Sequence, residues 1–254
     1  MKLATWNVNS LKVRLPHLLD WVGREQPDVV CLQETKTEDP NFPARELQQA
    51  GYQSLFVGEK AYNGVAILTR AVASDVSGAV PDFADDQKRV LAATVDGLRV
   101  ICVYVPNGES VESEKYRYKL AWLGALEKWL MRELQTHPRL ALLGDYNIAP
   151  EERDVYDPRL WEGKVLFSEP ERAAFRRLTG LGLKDSFRLF DQPDKSFSWW
   201  DYRMNAFKRN LGLRIDHILL SSELASRARA SCIDKHMRAL ERPSDHAPVL
   251  TELD

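Results

Sequence analysis

Leu140-Ala141-Leu142-Leu143-Gly144-Asp145-Tyr146-Asn147 is the stretch on which the reading turns. It opens with an unbroken apolar run, short enough for a strand covered on both faces. A glycine ends the run, and a carboxylate and an amide follow at Asp145 and Asn147. A buried strand therefore delivers two polar side chains to a fixed place. A rigid element gives the precision that catalysis requires. Taken alone, Asp-x-Asn after a strand is more often a turn than a site.

The same arrangement recurs along the chain. Short apolar or β-branched runs bounded by turn signals predict strands at 3–8, 29–32, 54–57, 65–69, 90–95, 99–105, 140–143, 196–200, 215–220 and 248–253. Asp96-Gly97 predicts a tight hairpin between two of them. Polar residues collect where these strands end. Trp6-Asn7-Val8-Asn9 closes the first, and Leu32-Gln33-Glu34-Thr35 closes the second. Tyr104-Val105-Pro106-Asn107-Gly108 follows a hairpin strand. Arg214-Ile215-Asp216-His217 opens a strand, and Ser244-Asp245-His246-Ala247-Pro248 precedes the last. Any one of these is an ordinary turn; together they form one polar pocket if the strand ends converge.

Helices are expected at 14–25, 112–135 and 169–179. Leu15, Leu18, Leu19 and Val22 mark the first, with Pro27 beyond it. Tyr116, Leu120, Leu123, Leu126, Leu130 and Leu134 stripe the second. Trp122 and Trp129 on that helix read as packing against a sheet. Pro170 sits in the first turn of the third, where proline is tolerated. Many strands with few helices and no βαβα rhythm predict an α/β protein of two packed sheets flanked by helices. The absence of linkers and repeats predicts one domain over 1–254.

Composition narrows the class. Of 254 residues, 44% are apolar, enough for a sizeable core. No stretch approaches the ~20 apolar residues of a membrane span, and the N-terminus reads as a strand, not a signal peptide. Cys31, Cys102 and Cys232 lie far apart among apolar neighbours, which predicts reduced, buried thiols and a cytoplasmic protein. The net charge of −2 argues against a wholly basic DNA-binding surface, but a local basic rim sets such a contact.

WNVNS, LQETK, YVPNG, GDYNIAP, FSWWDYR, GLRIDHILLS and PSDHAPV occur in that order from residue 6 to residue 249. In them the chain resembles the exonuclease III family of abasic-site endonucleases, within the endonuclease/exonuclease/phosphatase superfamily. LQET, GDxN and SDH belong to the wider superfamily, whereas WWDYR and GLRIDH point to its DNA-repair branch. The resemblance implies a four-layer α/β sandwich with two mainly antiparallel sheets. It also implies Mg²⁺, with Mn²⁺ able to substitute, and duplex DNA, damaged or with 3′ ends, as substrate of a monomer. The expected reactions are 3′-to-5′ exonuclease cleavage and incision 5′ to abasic sites, leaving 3′-hydroxyl ends.

The chemistry assigns provisional roles to matching residues. Glu34 is a hard oxygen donor suited to Mg²⁺, with Asn7 beside it and Asp245 near the metal or its waters. Asp145, Asn147 and Asn9 are further candidates for the metal; Asn9 stands where family members carry an aspartate. Asp145 and Asn147 are expected to activate or hold the attacking water. His246 is expected to donate to the phosphate, with Asp216 fixing its tautomer; His217, of opposite strand parity, points elsewhere. Tyr104 is expected to reach the phosphate or the leaving group, with Asn107 supporting that region. Lys36, Lys60, Arg117, Arg203, Lys208, Arg209 and Arg214 are candidates for the DNA-binding rim. Trp199, Trp200 and Leu213 are candidates for a pocket wall, with one of the two tryptophans in the core. Two other readings stay open: an inositol-phosphate or lipid phosphodiesterase of the same superfamily, and an inactive DNA-binding domain. The segments 197–203 and 207–216 weigh against the first. The intact water- and metal-handling positions weigh against the second.

Overall fold

Apolar runs become strands, and their alternation decides which sheet face each side chain meets. The computed structural model describes residues 1–254. Its strands are β1 (Lys2–Asn7), β2 (Val29–Gln33), β3 (Gln53–Val57), β4 (Val65–Thr69), β5 (Ala73–Ser77), β6 (Val90–Val95), β7 (Leu98–Tyr104), β8 (Leu140–Asp145), β9 (Lys184–Asp185), β10 (Asp216–Leu220), β11 (Ala228–Ile233) and β12 (Val249–Leu253). Its α-helices are α1 (Leu11–Glu25), α2 (Ala44–Gln49), α3 (Glu114–Thr136), α4 (Pro158–Trp161), α5 (Glu169–Gly180) and α6 (Ser222–Ala225). Two six-stranded sheets result, in the orders β11-β12-β1-β2-β4-β3 and β5-β6-β7-β8-β10-β9.

Leu3, Val29, Cys31 and Ile67 of the first sheet pack against Val100, Cys102, Ala141, Leu143 and Ile218 of the second. The other face of the first sheet is covered through Trp6, Leu18, Trp21, Val22 and Leu47 by α1 and α2. Trp122, Leu126, Trp129 and Phe175 of α3 and α5 cover the other face of the second. Each such side chain contributes on the order of 1.5–3 kcal/mol by leaving water. Helix, sheet, sheet and helix make the expected four layers.

Each sheet holds one parallel pair, β1 with β2 and β7 with β8. A parallel pair needs a crossover, and α1 and α3 provide it. Both strands of such a pair end at the same edge, so Asn7 lies opposite Gln33 and Tyr104 opposite Asp145. β10 runs antiparallel to β8 and starts at that edge, with Asp216 opposite Asp145. The strand ends singled out by their polarity are gathered by this wiring. Gly144 permits it locally, because an added Cβ would lie 1.9 Å from the carbonyl oxygen of Val103.

Several expectations change. Residues 196–200 do not form a strand; Trp199 makes only isolated bridges to Leu213 and His246. With one bridge on each side, no ladder can propagate. β5, β9 and β11 were not anticipated, and all three are sheet edges; β5 and β11 carry mostly exposed side chains. Cys232 lies on β11 and is exposed, which corrects the expectation of three buried thiols; Cys31 and Cys102 are buried, and all are free. No helix is long and apolar enough to cross a membrane.

Candidate active site

Glu34 follows β2, where the chain is held on two sides. Ser10 N–H donates to the Glu34 carbonyl (2.8 Å), Leu11 N–H to that of Thr35 (3.0 Å), and Lys36 N–H to that of Asn63 (2.9 Å). Asn9, Ser10, Glu34 and Lys36 have φ of 42°, 87°, 51° and 51°. Left-handed backbone at such residues costs on the order of 1–3 kcal/mol each, and surrounding bonds must enforce it. Glu34 Oε1 accepts from Asn7 Nδ2 at 2.8 Å, and Oε2 pairs with Lys36 Nζ at 2.8 Å.

Asn7 Nδ2 also donates to Asp145 Oδ2 at 2.9 Å, tying the first sheet to the second. Asp145 Oδ1 accepts the Asn147 N–H at 2.8 Å. Asn147 has φ of 49°, which turns its side chain back toward the site. Its Nδ2 donates to the Val105 carbonyl (3.0 Å) and faces Asp145 Oδ2 (3.3 Å), while its Oδ1 accepts from Asn107 Nδ2 (3.0 Å). Burial pushes the Asp145 carboxyl up to about 7, and Asp216 adds to that, against the opposing pull of His246 and of the Asn7 and Asn147 bonds.

His246 Nδ1 donates to Asp216 Oδ2 at 2.9 Å, and Ser198 Oγ donates to the same carboxylate oxygen at 2.6 Å. Burial opposes the imidazolium, but Asp216, and then Asp145, outweigh it and lift His246 to about 10. The ring is therefore a cation near neutrality. Its Nε2 lies 3.8 Å from Asp145 Oδ2, too far for a hydrogen bond, so this N–H remains available for another acceptor. Burial, with the Glu34 and Asp145 carboxylates adding to it, holds the Tyr104 hydroxyl well above its usual range. That hydroxyl is a donor at any ordinary pH, and the Arg89 guanidinium sits 4.8 Å above its ring.

Ligand atoms of Glu34, Asp145 and His246 all lie within 4.8 Å of one another. Two carboxylates, Glu34 and Asp145, brought this close in a largely buried site form a donor set that a divalent cation beside them would neutralise. Glu34 and Asp145 suit a hard cation, as does the amide oxygen of Asn7, which here accepts the Asn9 N–H at 3.0 Å; protonated His246 does not act as a ligand. Asp245 lies outside the group, its two oxygens accepting from Asn9 Nδ2 (2.9 Å) and Trp199 Nε1 (2.9 Å). Asn9 Oδ1 in turn accepts from Lys36 Nζ at 2.6 Å.

Residues 4–246 match the endonuclease/exonuclease/phosphatase family. The chain belongs to that family. It is 39% identical to exodeoxyribonuclease III of Haemophilus influenzae over 266 aligned residues, covering 99% of each protein. It superposes on the 3′ phosphatase NExo from Neisseria bound to product DNA hairpin, with a TM-score of 0.98 and 47% identity over 100% of this chain and 99% of that one. An AP endonuclease from Archaeoglobus fulgidus gives a TM-score of 0.96 and 37% identity, with 100% and 99% covered.

Among the basic candidates around this family site, Lys36 is partly exposed, and its ammonium pairs with Glu34 and Asn9. Lys60, Arg117, Arg203, Lys208 and Arg209 are exposed. Arg117 pairs with Glu114 and Arg203 with Asp201 (3.1 Å). Arg214 must be withdrawn from the rim. It is 1% exposed and its guanidinium is held by Asp154 (2.7 Å) and Asp185 (2.8 Å). Trp200 and Leu213 are also fully buried and cannot face a ligand; Trp200 Nε1 donates to Asn210 Oδ1 at 3.1 Å. Trp199 stays half-buried beside Asp245. Lys208 lines a cavity of about 300 Å³ with Tyr202, Phe207 and Arg238. Lys208→Ala is expected to weaken binding to all duplex sequences and to reduce the slope of log affinity against log salt by about one. An unchanged slope in a salt titration removes this lysine from the interface.

Some supporting residues escaped the sequence reading. Ser198 and Ser244 lie inside quoted motifs, and Ser244 Oγ donates to the Asn7 carbonyl at 2.6 Å. Arg89 carried no motif signal. His217 points away from the site, as its parity predicts. Its Nδ1 accepts from Arg214 (3.0 Å) and its Nε2 donates to the Ile148 carbonyl (2.9 Å). Burial, then Arg214, depress its pKa to about 4. The unfolded chain takes up a proton near pH 6.5 that the folded chain refuses until about pH 4. Stability from this group is therefore complete above 6.5 and declines with acidification, by roughly 3 kcal/mol at the bottom of that window. Denaturant melts of wild type and His217→Gln between pH 7 and 4.5 measure it; an equally steep acid loss in the variant refutes the assignment.

Proposed function

We propose that this chain is a DNA repair nuclease, acting as one catalytic unit on phosphate esters of duplex DNA at abasic sites and 3′ termini. The convergence of Glu34, Asp145 and His246 at one edge carries the reading. Similarity to an exodeoxyribonuclease, to a 3′ phosphatase and to an AP endonuclease supports a site that cleaves on the 5′ side of a lesion or of a terminal group. All three reactions hydrolyse a phosphate ester.

We assign Mg²⁺, replaceable by Mn²⁺, to Glu34 with Asn7, which leaves Asp145 to the water. When bound, it neutralises phosphate charge and acts as a Lewis acid. The remaining work falls to the chain. Asp145, buried and fixed by its bonds to Asn7 and to the Asn147 N–H, takes a proton from the attacking water, and Asn147 orients that water. The imidazolium of His246 donates to a phosphate oxygen, with Asp216 holding the ring in place. Tyr104 supplies a second donor from the other sheet. One well-placed donor of this kind is worth roughly 3–4 kcal/mol in the transition state, so several must converge. Double-stranded DNA lies across the open rim of a monomer. Free thiols at Cys31, Cys102 and Cys232 fit a cytoplasmic location.

The test uses two labelled duplexes, one with an abasic-site analogue and one with a recessed 3′ end. Cleavage of at least one with Mg²⁺, abolished by EDTA, is the expected result. Cleavage of neither, or cleavage that survives EDTA, overturns the proposal.

A further inference from the structure

Lys119 lies on α3, in the layer behind the second sheet, and is 0% exposed. Its Nζ donates to the Asn147 carbonyl at 2.7 Å, to the Asn107 carbonyl at 3.0 Å and to the Glu171 carboxylate. Glu171, on α5, is equally buried. It also accepts from Leu166 N–H (3.0 Å), Ser168 N–H (3.1 Å) and Ser168 Oγ (2.5 Å). Removing both charges from water costs several kcal/mol per ion. Glu171 also caps α5 through Ser168, so part of the role of this pair is structural.

Its placement gives it a second role. The carbonyls that Lys119 joins belong to the two asparagines whose side chains meet in the site, Asn107 Nδ2 donating to Asn147 Oδ1 at 3.0 Å. Asn147 holds φ at 49°, a conformation that needs outside support. That turn sends its N–H to Asp145 Oδ1 and its side chain to Val105 and Asp145, while its carbonyl faces Lys119. The next carbonyl, that of Ile148, accepts from His217. Successive peptide groups after Asp145 are thus held from α3 and from β10.

We propose that Lys119 is a positioning residue for hydrolysis: its ammonium, bonded to the main chains of Asn107 and Asn147 together, sets the direction of the Asn147 and Asp145 side chains. Glu171 keeps that ammonium in place. The inference rests on the reading of Asp145 and Asn147 as the groups that handle water. Lys119 touches no substrate, and its effect passes wholly through the backbone it holds.

The experiment compares full-length wild type, Lys119→Met, Lys119→Arg and the neutral double variant Lys119→Met/Glu171→Gln. Turnover and KM are measured on the better-cleaved duplex at saturating Mg²⁺, with DNA affinity, melting temperature and ¹H–¹⁵N spectra alongside. Misplacement of a catalytic group by about 1 Å costs about 10²-fold, so kcat of Lys119→Met is expected to fall by that order. KM and DNA affinity stay within about twofold, because the residue lies away from the DNA face. Signals of the Asn107 and Asn147 side-chain amides shift. Lys119→Arg, which keeps charge and donors, recovers about tenfold or more of the lost rate. The double variant removes the unpaired buried charge but leaves the Asn107 and Asn147 carbonyls without a donor, so it regains part of the melting temperature but not kcat. A double variant that recovers kcat together with stability overturns the proposal, as does a folded Lys119→Met with wild-type kcat. Unmoved Asn107 and Asn147 signals in Lys119→Met refute the positioning itself. Wild-type enzyme that cleaves neither duplex instead defeats the nuclease reading, which is a separate failure.

Discussion

Asp145→Asn is expected to retain DNA affinity and melting behaviour close to wild type while turnover falls roughly 10²–10⁴-fold, the range for a general base. The substitution conserves shape. Asparagine keeps one oxygen to accept the Asn147 N–H, so the turn after β8 survives. What is lost is the group able to accept a proton, the acceptor for Asn7 Nδ2, and part of the negative charge that raises His246. Because Asp145 is almost fully buried, it contributes little to the surface on which DNA rests. Removing its charge should, if anything, relieve repulsion toward phosphate. Filter binding in Ca²⁺ and single-turnover cleavage in Mg²⁺ separate the two effects. Binding that collapses together with cleavage shows that Asp145 supports the interface and does not handle water.

Glu34→Ala should cripple cleavage at ordinary Mg²⁺ and move the metal dependence upward by about tenfold or more, since even outer partners of a metal ligand are worth that much. The loss has two parts. A hard oxygen donor disappears, and Asn7 Nδ2 and Lys36 Nζ lose their shared acceptor. Lys36→Met separates them, since it frees Glu34 from its ion pair without removing the carboxylate. Metal affinity read by Mn²⁺ titration should fall in Glu34→Ala and hold or rise in Lys36→Met. Unchanged metal dependence in Glu34→Ala excludes it as a ligand.

Most of this site was legible because its residues interrupt apolar runs. Asp145 and Glu34 end buried strands, so their polarity stands out against their neighbours. The meeting of His246 with Asp216 was not legible from spacing and was implied by the family resemblance; β10, antiparallel to β8, brings Asp216 to the shared edge. Edge strands β5 and β11 were missed because one covered face, or none, leaves no apolar run to read. Residues 196–200 misled in the other direction, since an aromatic, β-like composition here serves loop packing around Trp200. Arg214 neighbours a motif and looked like a rim cation, yet Asp154, far away in the chain, draws it inside. Lys119 gave no signal at all, because a lysine on a helix ordinarily reads as solvated surface.

Anomalous diffraction from Mn²⁺ in crystals grown with product DNA tests the central claim most directly. The account predicts an ion bonded to a Glu34 oxygen and to a DNA phosphate, with His246 Nε2 donating to that same phosphate. An ion away from Glu34, or a bound phosphate beyond the reach of His246, contradicts it.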